Sequence, residues 1–200
     1  MEFSLVIFVG ALWALSSEMI EDSFVNLILG HMYGWKTLIM ALVAAASILL
    51  TLSAVLVYFA LTLFLRYIHL ISQLSAGLLG LIGAFWLASS LLRRNEKPEA
   101  IREARNVQQQ KNSNAGRFIV AFQLESVEVL EVLLILIPLV ITSHASEAFS
   151  AGVAGILVSV SAAAALRKKF EAFVTGRLGQ LKVVSGLFLI ALSVVLFAEI

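Results

Sequence analysis

The chain has no cysteine, only two prolines and little charge, with 14% of its 200 residues being Asp, Glu, Lys or Arg. Without cysteine there is no disulfide, no thiolate metal site and no Cys nucleophile. The shortage of charge matters more. A soluble domain is about 25% charged and about 45–50% apolar, whereas this chain is 60% apolar with a mean hydropathy of +0.99. A core this small cannot hide that excess, so the chain reads as an all-α integral membrane protein whose solvent is the lipid bilayer. Polar stretches are scarce too, which leaves no room for a soluble domain. No nucleophile–base pair, phosphate-binding loop or catalytic metal signature is visible. The chain is therefore not expected to be an enzyme, to carry a cofactor or to bind nucleic acid. The opening MEFSLVIFVG has an acidic residue where a signal peptide carries Lys or Arg, and reads as a retained helix.

What is present is a series of long apolar segments. Six can span ~30 Å of hydrocarbon at about 20 residues each: 3–29, 36–65, 70–92, 118–141, 148–166 and 180–198. The fifth is rich in Ala, Gly and Ser, which favours close helix packing. Between the third and fourth lies RRNEKPEAIREARNVQQQKNSNAGR, where EAIREARNVQQQ suits a short surface helix and KNSNAG a turn.

Basic residues set the orientation. By alternation, one side holds Lys36; then Arg93, Arg94, Lys97, Arg102, Arg105, Lys111 and Arg117; then Arg167, Lys168, Lys169, Arg177 and Lys182. Of the 14 Lys and Arg, Arg66 alone lies on the other side. The positive-inside rule makes the crowded side cytoplasmic and puts both termini outside, with the plasma membrane as the expected location.

The chain also repeats. SSEMIEDSF at 16–24 corresponds to LESVEVLE at 124–131, with Glu18 and Glu125, and Glu21 and Glu128, each 107 apart. QLSAGLLGLIGAFWL at 73–87 resembles QLKVVSGLFLIALSVVL at 180–196, with Gln73 and Gln180 at the same offset. This divides the chain into a first three-helix repeat at 1–95, a cytoplasmic linker at 96–116 and a second repeat at 117–200. Three spans is an odd number, so the two repeats have inverted topology. In transporters built this way the substrate site lies near the midplane, where the repeats meet.

The acids are where they should not be. Glu18, Glu21 and Asp22 lie within the first apolar segment, and Glu125, Glu128 and Glu131 within the fourth, with no Lys or Arg in either. Each would cost about 2.5–3.5 kcal/mol at a bilayer centre by insertion scales. The compensating positive charge is therefore expected from outside the polypeptide, as protons or a metal cation. Spacings of three and four put the acids of each segment on one helix face. The repeat brings helices 1 and 4 together antiparallel, giving four to six carboxylates around a midplane cavity. All six are candidate metal ligands. Ser16, Ser17, Ser23, Asn26, Gln123 and Ser126 are candidates for direct or supporting contacts. Oxygen ligands alone suit Mn, Ca, Mg and iron; zinc favours His or Cys. Carboxylates crowded in a low dielectric repel one another, so protons they share would leave as a metal enters, which makes an antiporter possible. His31, His69 and His144 fall near the predicted membrane edges and read as interfacial. Trp13, Trp35 and Trp86 read as packing or interface anchors, and Pro138 as a kink after the acidic face of its helix.

In architecture and motif the chain resembles the lysine-exporter superfamily of 3+3 inverted-repeat transporters. The nearest branches are two. The iron permease family carries R-E-x-x-E in its first and fourth helices, where this chain has S-E18-M-I-E21 and L-E125-S-V-E128. Both keep E-x-x-E and lack the Arg. The Ca/Mn cation–proton exchanger family carries E-x-G-D-K/R, against EMIEDS here. The resemblance implies metal ion transport with Glu18, Glu21, Glu125 and Glu128 as ligands. Iron or manganese is the expected substrate ahead of calcium, with uptake following from the first branch and proton-coupled efflux from the second. A homo-oligomer is compatible with this reading. The alternatives are a proton-coupled exporter of an organic or amino-acid substrate, and a membrane accessory subunit without a pathway of its own.

Overall fold

The computed structural model describes residues 4–63, 67–92, 114–166 and 170–200. These form an all-α membrane protein of helices α1 (Leu5–Tyr33), α2 (Trp35–Leu63), α3 (Ile68–Leu92), α4 (Asn114–Ile141), α5 (Ala145–Leu166) and α6 (Phe170–Glu199). Four of them, α2, α3, α5 and α6, are long and apolar enough to cross a membrane. The two left out are the helices that carry the central carboxylates. At 29 and 28 residues and ~1.5 Å per residue, α1 and α4 have the length to cross.

The helices extend beyond the expected segments, chiefly at their starts. α4 begins at Asn114, inside the expected KNSNAG turn, and α6 at Phe170 rather than near residue 180. The expected surface helix in the linker, Arg66 and residues 167–169 lie outside the described residues.

The turns follow local chemistry. α1 and α2 are separated by Gly34 alone, at φ 90° with its N–H bonded to the Gly30 carbonyl. That backbone state favours glycine. α4 ends in a Schellman turn: His144 N–H donates to Leu139 O and Ser143 N–H to Val140 O, with Ser143 at φ 71°. Pro138 lies inside α4, and its carbonyl accepts both the N–H and the hydroxyl of Thr142.

Packing uses small residues. On α3, Gly77, Gly80 and Gly83 meet Phe197, Ser193 and Ile190 of α6 in turn, so these helices run antiparallel. Ser193 donates to the Ala76 carbonyl across this seam at 2.7 Å. A Cβ added at Gly83 would lie 2.6 Å from the Gly186 carbonyl, and one at Gly186 the same distance from the Gly83 carbonyl. α1 is antiparallel to α6 as well: Gly10 meets Leu192, Trp13 stacks on Phe188, and Glu21 reaches Lys182. α1 is parallel to α5, from Ser4 against Glu147 to Leu15 and Ser16 against Gly155. α2 packs on α4, with Leu38 and Ala41 against Val120, Ala121 and Leu124. The outward faces carry large apolar side chains, among them Ile39, Val43, Leu56, Phe85, Phe149 and Leu157. Water does not tolerate apolar surface on this scale, and hydrocarbon does.

Candidate cation site

The middle turns of α1 and α4 meet face to face. Glu18 lies opposite Glu131, Asp22 opposite Glu128, and Asn26 near Glu125. Facing residues rise along one helix as they fall along the other, so the pair is antiparallel, as the sequence led us to expect. Glu21 lies beside the same group, within electrostatic reach of Glu128 and Glu131. The predicted acids thus line the facing surfaces of α1 and α4, with Glu125 at one end, opposite Asn26 and linked to the others through Glu128. Glu18 and Glu125, the repeat-matched pair, are the most deeply placed, at 1% and 0% exposure.

The layer is short of donors. An ionised carboxylate only accepts hydrogen bonds, so Glu18 facing Glu131 and Asp22 facing Glu128 are contacts of acceptor with acceptor. Both carboxylate oxygens of Glu18 and of Glu125, Asp22 Oδ1, Asn26 Oδ1 and the Ser16 hydroxyl are buried without a hydrogen-bond partner. Buried polar groups in folded proteins are almost always paired, and a buried charge is costly unless paired. A proton held between two facing carboxyls, or a cation between them, would meet the deficit. Among the described residues no three acidic or histidine side chains already converge as a metal-holding group; the carboxylates stand as facing pairs.

One expectation is corrected. The sequence segments suggested that no basic residue accompanies the acids and that all compensating charge comes from outside the chain. Lys182 Nζ, however, lies 3.2 Å from Glu21 Oε2, and acts on Glu18 and Glu131 as well. Because α6 begins at Phe170, Lys182 belongs to its helical interior and not to a cytoplasmic loop. Its ammonium is also 6.0 Å from the centroid of the buried Trp86 ring. The signal was there to be read: Lys182 is flanked by Leu181, Val183 and Val184, unlike the clustered Arg167, Lys168 and Lys169. Its repeat counterpart is Ser75, so the symmetry that singled out the glutamates passed over it.

The hydroxyl and amide candidates divide. Ser17, Ser23 and Ser126 donate to the carbonyls of Trp13, Met19 and Phe122 on their own helices, and Gln123 is exposed. Asn26 remains beside Glu125, whereas Ser16 packs against Gly155 of α5. Of the histidines, exposed His31 meets Trp35 edge-on and exposed His69 contacts Gln73. His144 is more engaged than an interfacial residue need be. Its Nδ1 lies 3.5 Å from Glu147 and its Nε2 3.0 Å from Glu199.

Beside the layer, a cavity of about 260 Å³ opens between α3 and α4, lined by Leu81, Ile82, Phe85, Trp86, Leu134 and Glu131. Comparison with protein-family models, curated proteins and solved structures gives no significant match to this chain.

Proposed function

We propose that the chain is a transporter with six membrane spans arranged as two inverted three-helix repeats, and that it carries a metal cation through the α1–α4 carboxylate layer. One observation carries this reading. At the centre of two long helices, carboxylates face carboxylates, and the oxygens of the two most deeply buried, Glu18 and Glu125, have no hydrogen-bond partner. Such an arrangement is costly as scaffolding and suitable for a hard or borderline cation drawing oxygens from both helices.

The packing supports the repeat. Exchanging α1 with α4, α2 with α5 and α3 with α6 turns the α1–α5 contact into the α4–α2 contact and maps α3–α6 onto itself. An axis relating Glu18 to Glu125 and Glu21 to Glu128 would pass beside Asp22 and Glu128, within the acidic layer. The parallel and antiparallel senses of the packed pairs are those of a chain that crosses six times in alternation. Under this reading Ser4, the α4–α5 turn and Glu199, which cluster at one end, share the outer face with both termini, and the membrane is the plasma membrane. Iron or manganese is the substrate the lysine-exporter resemblance favours. A homo-oligomer is compatible with the exposed apolar faces.

The test is flux into proteoliposomes, with Mn²⁺, Fe²⁺, Ca²⁺ and Mg²⁺ offered in turn, a pH-sensitive dye trapped inside, and Glu128→Gln run in parallel. Selective metal flux that the substitution abolishes is the expected result, and acidification or alkalinisation of the lumen reads proton exchange. Intact protein with no metal flux would sink the reading. It would then favour an exporter of an organic substrate.

A further inference from the structure

Lys182 is the residue that the cation reading does not yet use. Its side chain is 28% exposed and its ammonium touches Glu21, itself 15% exposed, so the ion pair sits at the edge of the acidic layer. The carboxylates of Glu18 and Glu125 lie deeper and lack hydrogen-bond partners. The lysine therefore makes direct contact at the edge of the layer, acts on Glu18 and Glu131 only through space, and leaves the oxygens of Glu18 and Glu125 without hydrogen bonds. Its other neighbour is the Trp86 ring, 6.0 Å away, whose face attracts a cation. A flexible four-carbon stem lets the charge move between such neighbours without moving the helix.

We infer that Lys182 is a tethered counter-cation that a divalent metal displaces on entering the layer, and that this competition excludes monovalent cations. The inference rests on the proposed cation site and adds its selectivity. A free Na⁺ or K⁺ brings no more charge than the ammonium already in place. It also arrives from bulk solution, whereas the ammonium is held beside Glu21 at a high effective concentration by its own chain. A divalent ion gains twice the Coulomb attraction at the same distance, and can reach the unpartnered oxygens that the lysine leaves free. Once displaced, the ammonium has the Trp86 face to rest against.

The test uses the full-length protein in detergent, Mn²⁺ as the probe, and Lys182→Gln. Calorimetric titration is expected to give Mn²⁺ affinity about tenfold higher in the variant, the size of a typical coupling between competing sites. Added Na⁺ should weaken Mn²⁺ binding to the variant and have little effect on wild type. In wild-type protein, which needs no folded variant, Mn²⁺ should increase labelling of Lys182 by an amine-reactive reagent, read by mass spectrometry. Equal or weaker Mn²⁺ binding in Lys182→Gln, or Lys182 labelling that Mn²⁺ leaves unchanged, would overturn the displacement. If Mn²⁺ binding to wild type is nevertheless lost in Glu128→Gln, the carboxylate site stands without it. No Mn²⁺ binding to wild type would overturn both.

Discussion

Glu147 and Glu125 are equally withdrawn from solvent, at 2% and 0% exposure, yet their surroundings are opposite. Glu147, in the first turn of α5, accepts the Ser4 N–H at 2.7 Å and the Ser146 hydroxyl at 2.6 Å, with His144 at 3.5 Å. Both its oxygens are used. Neither oxygen of Glu125 has a hydrogen-bond partner; Asn26 lies near it, and the charge that acts on it is the like charge of Glu128. Loss of solvent contact is therefore common to the two acids, and what separates them is the completeness of their partners. Glu147 ties the start of α1 to the α4–α5 turn, and its negative charge suits the N-terminus of a helix. Glu125 and Glu18 hold nothing together.

The sharpest way to break this contrast is to truncate the satisfied acid. Glu147→Ala leaves the Ser4 N–H without its acceptor and removes charge-assisted hydrogen bonds, so it should destabilise the protein by about 3 kcal/mol. Thermal unfolding in detergent, with no divalent ion present, checks this. An unchanged midpoint would make the clasp incidental.

The unsatisfied acids should respond to a ligand instead. Mn²⁺ at about a hundred times its Kd should stabilise wild type by about 2.7 kcal/mol. Glu125→Gln should lose that ligand-induced gain and, without metal, be at least as stable as wild type, because it replaces a buried carboxyl whose oxygens have no hydrogen-bond partner with a neutral amide of the same shape. A Glu125→Gln protein that is strongly destabilised in metal-free buffer would move Glu125 into the same structural class as Glu147.

A third region serves as a control that involves no charge. At the α3–α6 crossing, a Cβ on Gly83 would meet the backbone carbonyl of Gly186 at 2.6 Å and the Ile190 nitrogen at 3.0 Å. Backbone cannot give way as a side-chain tip can, so Gly83→Ala should cost about 2 kcal/mol by overpacking, with the Mn²⁺-induced gain retained. Loss of that gain would mean the seam and the acidic layer are coupled.

How much of this could be read beforehand follows from the physics of each feature. Apolar runs of membrane length are a strong signal, and the helices lie where the runs do. The acids were visible because charge inside an apolar run is rare, and the spacing of Glu18, Glu21 and Asp22 correctly placed them on one face. Helix starts were less legible: Asn114 to Gly116 looks like a turn, and residues 170 to 179 are interrupted by Glu171, Gly176, Arg177 and Gly179, but a helix continues past the hydrocarbon when nothing breaks it. That extension hid Lys182, since a cation near a predicted helix edge reads as a topology marker until the helix is seen to run on. The clasp was hidden for a different reason. Ser4 and Glu147 are 143 residues apart, and no local pattern announces such a pair.

The smallest effect concerns the outer edge of that clasp. His144 Nε2 lies 3.0 Å from Glu199, but the glutamate is 45% exposed, so solvent competes for it and its long side chain must be ordered to keep the contact. Exposed ion pairs of this kind contribute about 0–1 kcal/mol. Glu199→Gln should shift unfolding by less than about 0.5 kcal/mol, far below the effect of Glu147→Ala, although both acids contact the same imidazole. The difference isolates what enclosure and a full set of donors add to a carboxylate. Equal effects from the two substitutions would mean that the histidine, and not the hydrogen bonds from Ser4 and Ser146, anchors this end of the bundle.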